Sequence, residues 1–369
     1  MKIIFIFVFI FVLIFSYNLF AKVYISEGQK FTIEKLYEGS DVIWGFDFLN
    51  PKMADEMIFS ERNGKLKYLD LKSLKSSDIA GAPKVFIESQ AGLLDVYIDH
   101  KTEDVYLTYS DPDPKGATTS LFKGKLSADK KSLTGSRFFQ AQAFSSGGEH
   151  FGSRIAIDKG GFIFMSVGER NKRERAQDLT THQGKVLRLT KEGMTPADNP
   201  FVSIKGALPE IWSLGHRNPQ GLIFDPDGNL IEAEFGPRGG DEVNLIKKGL
   251  NYGWPVITFG KEYWGPSIGT TERVDMVQPV FHWVPSINPS GIMIYTGTVF
   301  PKFERNLFLA TLNHGHLHRV VMDKNMKMIK EEKLLDDLGE RFRQVKTGPD
   351  GLIYLSTDSG KILRLKTVK

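Results

Sequence analysis

The feature that most constrains this chain is a strand–turn–strand unit that recurs along it. The clearest copies are Ile155–Gly168 around Asp158-Lys159-Gly160-Gly161, Leu222–Ile231 around Asp225-Pro226-Asp227-Gly228, and Val345–Ser356 around Gly348-Pro349-Asp350-Gly351. Glycine tolerates positive φ and aspartate hydrogen-bonds the turn backbone, so these segments specify tight turns. The flanking runs, rich in Ile, Val, Phe, Leu and Tyr, read as buried strands. Weaker copies run from Trp44-Gly45-Phe46-Asp47-Phe48 to Met57-Ile58-Phe59-Ser60, from Leu94–Asp99 to Val105–Tyr109, and from Gly291–Tyr295 to Leu307–Ala310. Six copies in the residues after Ala21 average roughly 58 residues each, a little above the ~40–50 of compact propeller repeats, which insertions explain. No segment with helical periodicity competes in strength. The pattern predicts an all-β chain: a six-bladed β-propeller with four-stranded antiparallel blades, one domain over residues 22–369. A two-domain β-sandwich is the alternative, but nothing near the middle reads as a linker. In a propeller, functional groups sit on the loops that enter and leave the innermost strands of several blades, so the chemistry is expected there.

Composition narrows that chemistry. The 369 residues include no cysteine, which excludes disulfides, thiolate metal sites, cysteine nucleophiles and covalently attached c-type haem. Glycine (36) and phenylalanine (27) are abundant, as a turn-rich β chain requires. Net charge is +4, and the most charged run, Glu169–Arg175, mixes its signs. Without a dense basic stripe, no nucleic-acid partner is expected. At the start, Lys2 precedes an apolar run from Ile3 to Phe15, with a small residue at Ala21. The run is shorter than the ~20 residues of a membrane-spanning helix, and the pattern fits a secretory signal peptide over residues 1–21. An uncleaved anchor is the alternative. Cleavage would leave no stable membrane span and a periplasmic or secreted protein.

Candidate functional residues concentrate between Gly215 and Trp254. Gly215-His216-Arg217-Asn218-Pro219-Gln220-Gly221 offers an arginine and an asparagine in a Gly/Pro turn, suited to an anionic ligand. Glu234-Phe235-Gly236-Pro237-Arg238-Gly239-Gly240-Asp241-Glu242 offers carboxylates and carbonyls, suited to a hard cation. His150 and Glu169 stand at the two ends of one hairpin. Glu169 can therefore hold one ring nitrogen and leave the other as a base; a structural histidine is the rival reading. Arg341 and Arg343 alternate on a strand and point the same way. They repel unless an anion lies between them, either a ligand or one of Asp336, Asp337 and Glu340. Gln90, in Gln90-Ala91-Gly92-Leu93-Leu94-Asp95, adds a neutral polar group entering the second blade.

These motifs together resemble the soluble pyrroloquinoline-quinone (PQQ) dependent aldose sugar dehydrogenases of the glucose/sorbosone dehydrogenase family. The resembling stretches run in family order from Gln90–Asp95 through His150–Arg154, Gly168-Glu169-Arg170, Ala176–Leu179, Gly215–Gly221, Gly236–Glu242 and Asn251–Pro255 to Arg341–Arg343. The resemblance implies oxidation of aldose sugars at C1 to lactones, with PQQ and calcium (Ca2+) as cofactors and a separate carrier as electron acceptor. It implies that His150 takes the proton of the anomeric hydroxyl, that Glu169 orients it, and that Arg217 stabilises developing negative charge. Gln90, Arg217, Asn218, Tyr263, Arg341 and Arg343 would bind PQQ. Carbonyls of Gly236 and Pro237 would ligate its calcium, and Glu242 and Tyr252 would belong to a second, structural calcium site. Two positions depart from the family pattern. Asn313 stands in the cofactor-binding segment where members often have a lysine, beside His314 and His316, and Phe235 stands where a histidine is usual. Two rival functions remain: a calcium-dependent propeller lactonase, and a binding propeller without catalysis.

Overall fold

Turn chemistry sets the first hairpin of each blade where the sequence repeats it. The computed structural model describes residues 22–368, so the signal-peptide reading for residues 1–21 lies outside the described residues. In the Asp158 turn the side chain accepts the amide of Phe162, and Gly161 takes φ of 86°. In the Asp225 turn the carboxylate accepts the amide of Asn229, and Gly228 takes φ of 91°. Both turns use the left-handed region that glycine enters without a Cβ penalty.

The inner strands are Ile43–Phe48, Leu93–Asp99, Ile155–Ile157, Pro219–Phe224, Pro289–Ile294 and Phe342–Thr347. Each contacts the next, and the last contacts the first, so they close a ring. From each, antiparallel strands step outward, in chain order in the first five blades, making six sheets. This is the predicted six-bladed β-propeller. Five blades have four strands and the closing blade has five. The closing blade takes three strands from the end of the chain and two, Gln29–Glu38 and Tyr24–Ser26, from its beginning. Phe31 pairs with Thr367 and Glu38 with Lys361, so chain start and chain end zip together. Among the described residues the only helices are three short 3₁₀ segments, and no helix is long and apolar enough to cross a membrane.

The core is divided among the blade interfaces. Ile58 and Leu66 meet Leu93 and Leu107 between blades 1 and 2. Leu121 meets Ile163 and Leu187 between blades 2 and 3. Comparable clusters fill the remaining four interfaces. At the closure Phe31 is fully buried, edge-on to Phe300 and Phe303. Replacing Phe31 with alanine is expected to remove about 3–5 kcal/mol of stability, read as a lower denaturant midpoint; a loss below about 1 kcal/mol would contradict the closure described.

Candidate active site at the mouth of the ring

All six inner strands start at one face, so the loops that enter them meet there. His150 precedes the inner strand of blade 3. Its amide donates to Gln90 Oε1 (3.0 Å), and its Nδ1 lies 2.6 Å from Glu169 Oε1. The Glu169 amide in turn donates to the Arg217 carbonyl (2.8 Å). His150 takes φ of 51°, a strained conformation that this cross-blade bonding sustains. Gly168 makes the approach possible: a Cβ there would lie 2.2 Å from the His150 carbonyl oxygen. Nε2 of His150 has no protein hydrogen bond among the described residues. Burial, and next the Arg217 guanidinium, push the His150 imidazole below its ordinary value, while Glu169 acts the other way. The Phe235 ring stands edge-on to it at 6.5 Å, in the position noted above as a departure.

Arg217 and Asn218 precede the inner strand of blade 4, and Glu234 fixes their turn. Its Oε2 accepts the amides of Arg217 (2.5 Å) and Asn218 (3.0 Å), while Oε1 lies 3.4 Å from His216 Nδ1. Arg217 Nη1 donates to the Phe235 carbonyl (2.8 Å), linking this turn to the Gly236-Pro237 loop. Asn218 Oδ1 accepts the Gly152 amide (3.0 Å), but its Nδ2 is buried with no partner. An unpaired buried donor of this kind calls for a ligand or water to complete it.

Asp241 shapes the Gly236-Pro237 loop. It accepts the amides of Gly236, Ile287 and Asn288 and the Ser286 hydroxyl. A Cβ on Gly236 would lie 2.2 Å from the Gly239 carbonyl oxygen and 2.5 Å from that of Gly240, so only glycine fits among these carbonyls. No loop amide or side chain among the described residues donates to the Gly236 or Pro237 carbonyl. Beside this loop a hole of about 10 Å³ is lined by Glu234, Gly236, Glu242, Tyr252 and Thr258 among others. That volume suits one water or one ion. Burial and the Glu234 carboxylate raise Glu242 well above the usual carboxylate range. Tyr252 cannot offer its phenol: the hydroxyl donates to the Leu245 carbonyl and accepts the Lys247 amide, and the ring stacks on His216. Only its carbonyl is left for an ion.

The remaining candidates complete the rim. Asn313 Nδ2 donates to the Ser286 carbonyl (2.9 Å), and Arg341 Nη1 to the Leu312 carbonyl (2.9 Å). The two arginines do converge, but on a carboxylate that the sequence reading passed over. Arg341 Nε lies 2.8 Å from Asp358 Oδ2, and Arg343 Nε 2.9 Å from Asp358 Oδ1. Asp336, Asp337 and Glu340 are not the partners; Asp337 binds Lys22 and Tyr24, and Glu340 binds Lys361 and Ser359. Asp358 lies at the far end of the same hairpin, as Glu169 does for His150, and that parallel was the available signal. Arg341 keeps about half its side chain exposed, so it can still reach a ligand. Tyr263 stands apart at 66% exposure, with only its carbonyl engaged, by Arg238. His316 offers nothing in place of a lysine: it is buried against Thr311 and His318.

Comparison with known proteins places this geometry. The family model described as Glucose / Sorbosone dehydrogenase matches residues 40–364. Aldose sugar dehydrogenase YliI of Escherichia coli (strain K12) is 38% identical over 345 residues, 90% of this chain and 92% of that protein. Quinoprotein glucose dehydrogenase B of Acinetobacter calcoaceticus is 26% identical over 285 residues, 57% of this chain and 59% of that protein. The crystal structure of the soluble aldose sugar dehydrogenase from Escherichia coli in the apo-form superposes with a TM-score of 0.87 at 36% identity, covering 92% of this chain and 100% of that one. The propeller, its ordered site loops and these likenesses make the chain a member of the glucose/sorbosone dehydrogenase family, and an oxidoreductase.

Proposed function

We propose that this protein oxidises aldose sugars at C1 to lactones using PQQ and calcium, and delivers the electrons to a separate acceptor. The observation that carries the reading is the His150–Glu169 pair, with Nε2 free, set beside Arg217 and the unpaired buried amide of Asn218. The name quinoprotein, borne by the Acinetobacter calcoaceticus relative, supports a quinone. The apolar segment over residues 1–21 supports export, to the periplasm or outside the cell.

The donor set fits the cofactors. Guanidiniums of Arg217, Arg341 and Arg343 suit a planar polycarboxylate, and Asn218 Nδ2 supplies a desolvated donor. Gln90 and Asn313 flank them with neutral amides. Tyr263, exposed at the rim, is the remaining candidate contact. The crowded carbonyls at Gly236 and Pro237 suit calcium, and the small hole at Glu242 and the Tyr252 carbonyl suits a second ion. When bound, PQQ supplies the hydride acceptor and calcium polarises it. His150 Nε2 takes the proton of the anomeric hydroxyl, and Glu169 at Nδ1 fixes the tautomer and stabilises the imidazolium. Arg217 faces the negative charge that develops.

Reconstitution of the mature chain with PQQ and calcium, followed by dye reduction over an aldose panel, tests the reading. Reduction with at least one aldose is expected. Hydrolysis of lactones that needs calcium but no quinone would favour the lactonase instead. Replacing His150 with alanine should keep PQQ uptake and lower turnover by about 100-fold or more; unchanged turnover would remove His150 from the mechanism. Because the base works deprotonated and its pKa is pushed down, its active form persists to lower pH. The acid limb of kcat/KM is therefore expected below the ordinary imidazole value of 6.5. A limb at or above that value would contradict the assignment.

A further inference from the structure

The motif His150-Phe151-Gly152-Ser153-Arg154 ends in an arginine that the proposed chemistry does not use. Arg154 is 3% exposed and lies at the axis of the ring. Each of its three nitrogens bonds a different blade. Nη1 lies 2.8 Å from Asp95 Oδ1 in blade 2, Nε donates to the Gln220 carbonyl in blade 4 (2.6 Å), and Nη2 donates to the Arg343 carbonyl in blade 6 (2.9 Å). The guanidinium sits 4.1 Å from the ring centre of Trp44 in blade 1. The second Asp95 oxygen accepts the Ile155 amide (3.0 Å). Blades 1 and 5 make room for the pair with glycine. A Cβ on Gly45 would lie 2.8 Å from Asp95 Oδ1, and one on Gly291 3.2 Å from Arg154 Nη2. One side chain thus touches strands from all around the ring.

The places it touches are close in sequence to the site. Arg154 itself follows His150 by four residues, Gln220 follows Asn218 by two, and Arg343 is a cofactor candidate. Gln220 Oε1 also accepts Arg343 Nη1 (3.0 Å), so the arginine is held through backbone and side chain together. On the other side of this polar layer the channel widens to a cavity of about 430 Å³, walled by residues such as Val96, Ile155, Leu222, Ile292 and Val345. The layer is therefore the floor of the site. Stability alone does not explain it, because a buried ion pair returns little over a well-packed apolar replacement. What it does supply is a fixed geometry with every nitrogen of the guanidinium satisfied.

We propose that Arg154 is a positioning residue: it sets the spacing of His150, the Arg217-Asn218 turn and Arg343 across the mouth of the ring. The inference rests on the proposed function, in which those groups surround one cofactor. Misplacement by about 1 Å is enough to lower turnover by about 100-fold.

The test compares Arg154→Lys with Arg319→Lys. Arg319 is also buried, bonded to Asn306 and Glu332 in blade 5, and takes no part in the site. Calcium-loaded protein is titrated with PQQ, turnover is measured at saturating PQQ, and the His150 imidazole is titrated by NMR in cofactor-free protein. Arg154→Lys is expected to weaken PQQ uptake and lower kcat by roughly 10-fold or more, and to shift the His150 titration. Arg319→Lys should lower the denaturant midpoint with PQQ affinity, kcat and imidazole titration within about twofold of the parent. If Arg154→Lys does not fold, Asp95→Asn, which keeps the side-chain size, is read by the same measurements. Parent-like values in the Arg154 or Asp95 variant, or equal losses in Arg319→Lys, would overturn the proposal. A parent chain that takes up no PQQ counts against the proposed function, and the imidazole titration then decides on Arg154.

Discussion

The site depends on hydrogen bonds that cross between blades. Each inner strand brings a loop to the mouth, but no blade carries a complete set of groups. His150 leans on Gln90 from blade 2 and through Glu169 on the Arg217 carbonyl of blade 4. The Gly236 loop leans on Asp241, which also holds the amides before the inner strand of blade 5. Arg341 leans on the Leu312 carbonyl. These bonds are buried or part-buried, where an unmade bond is costly, so each loop has a favoured position.

Charge follows from the same burial. The mouth gathers Arg217, Arg341 and Arg343 above carboxylates that each have an assigned partner: Glu234 under the Arg217-Asn218 amides, Glu169 on His150, Asp358 between the two rim arginines. Desolvation lowers the imidazole and raises the Glu242 carboxyl, so the base is kept neutral and the acid next to the small hole has reason to take a cation.

Much of this was legible in the sequence where the physics is local. Aspartate and glycine fix the hairpin turns at Asp158 and Asp225 within five residues, and paired apolar runs mark the hairpins that lack such a turn. The His150–Glu169 pair could be read because one hairpin brings its ends together. Asp358 arrives beside Arg341 and Arg343 by the same device, although Asp336, Asp337 and Glu340 lie nearer in sequence. Glu234 was visible only as a charge near a turn, because capping of the Arg217 and Asn218 amides depends on strand register. Tyr252 is expected at an ion; its phenol is taken up by the backbone around Leu245 and Lys247, which leaves its carbonyl for that role. The fifth strand of the closing blade was not legible, since pairing between Tyr24–Ser26 and the rest of the sheet follows only once the ring has closed.

The central claim is that loops of separate blades enclose one planar acidic guest beside a divalent ion. Calorimetric titration of PQQ into the mature chain, with calcium and with a chelator, measures this directly. The account predicts one PQQ per chain, bound much more weakly when calcium is removed. Absence of binding, or binding indifferent to both calcium and the charge of Arg217, would contradict it.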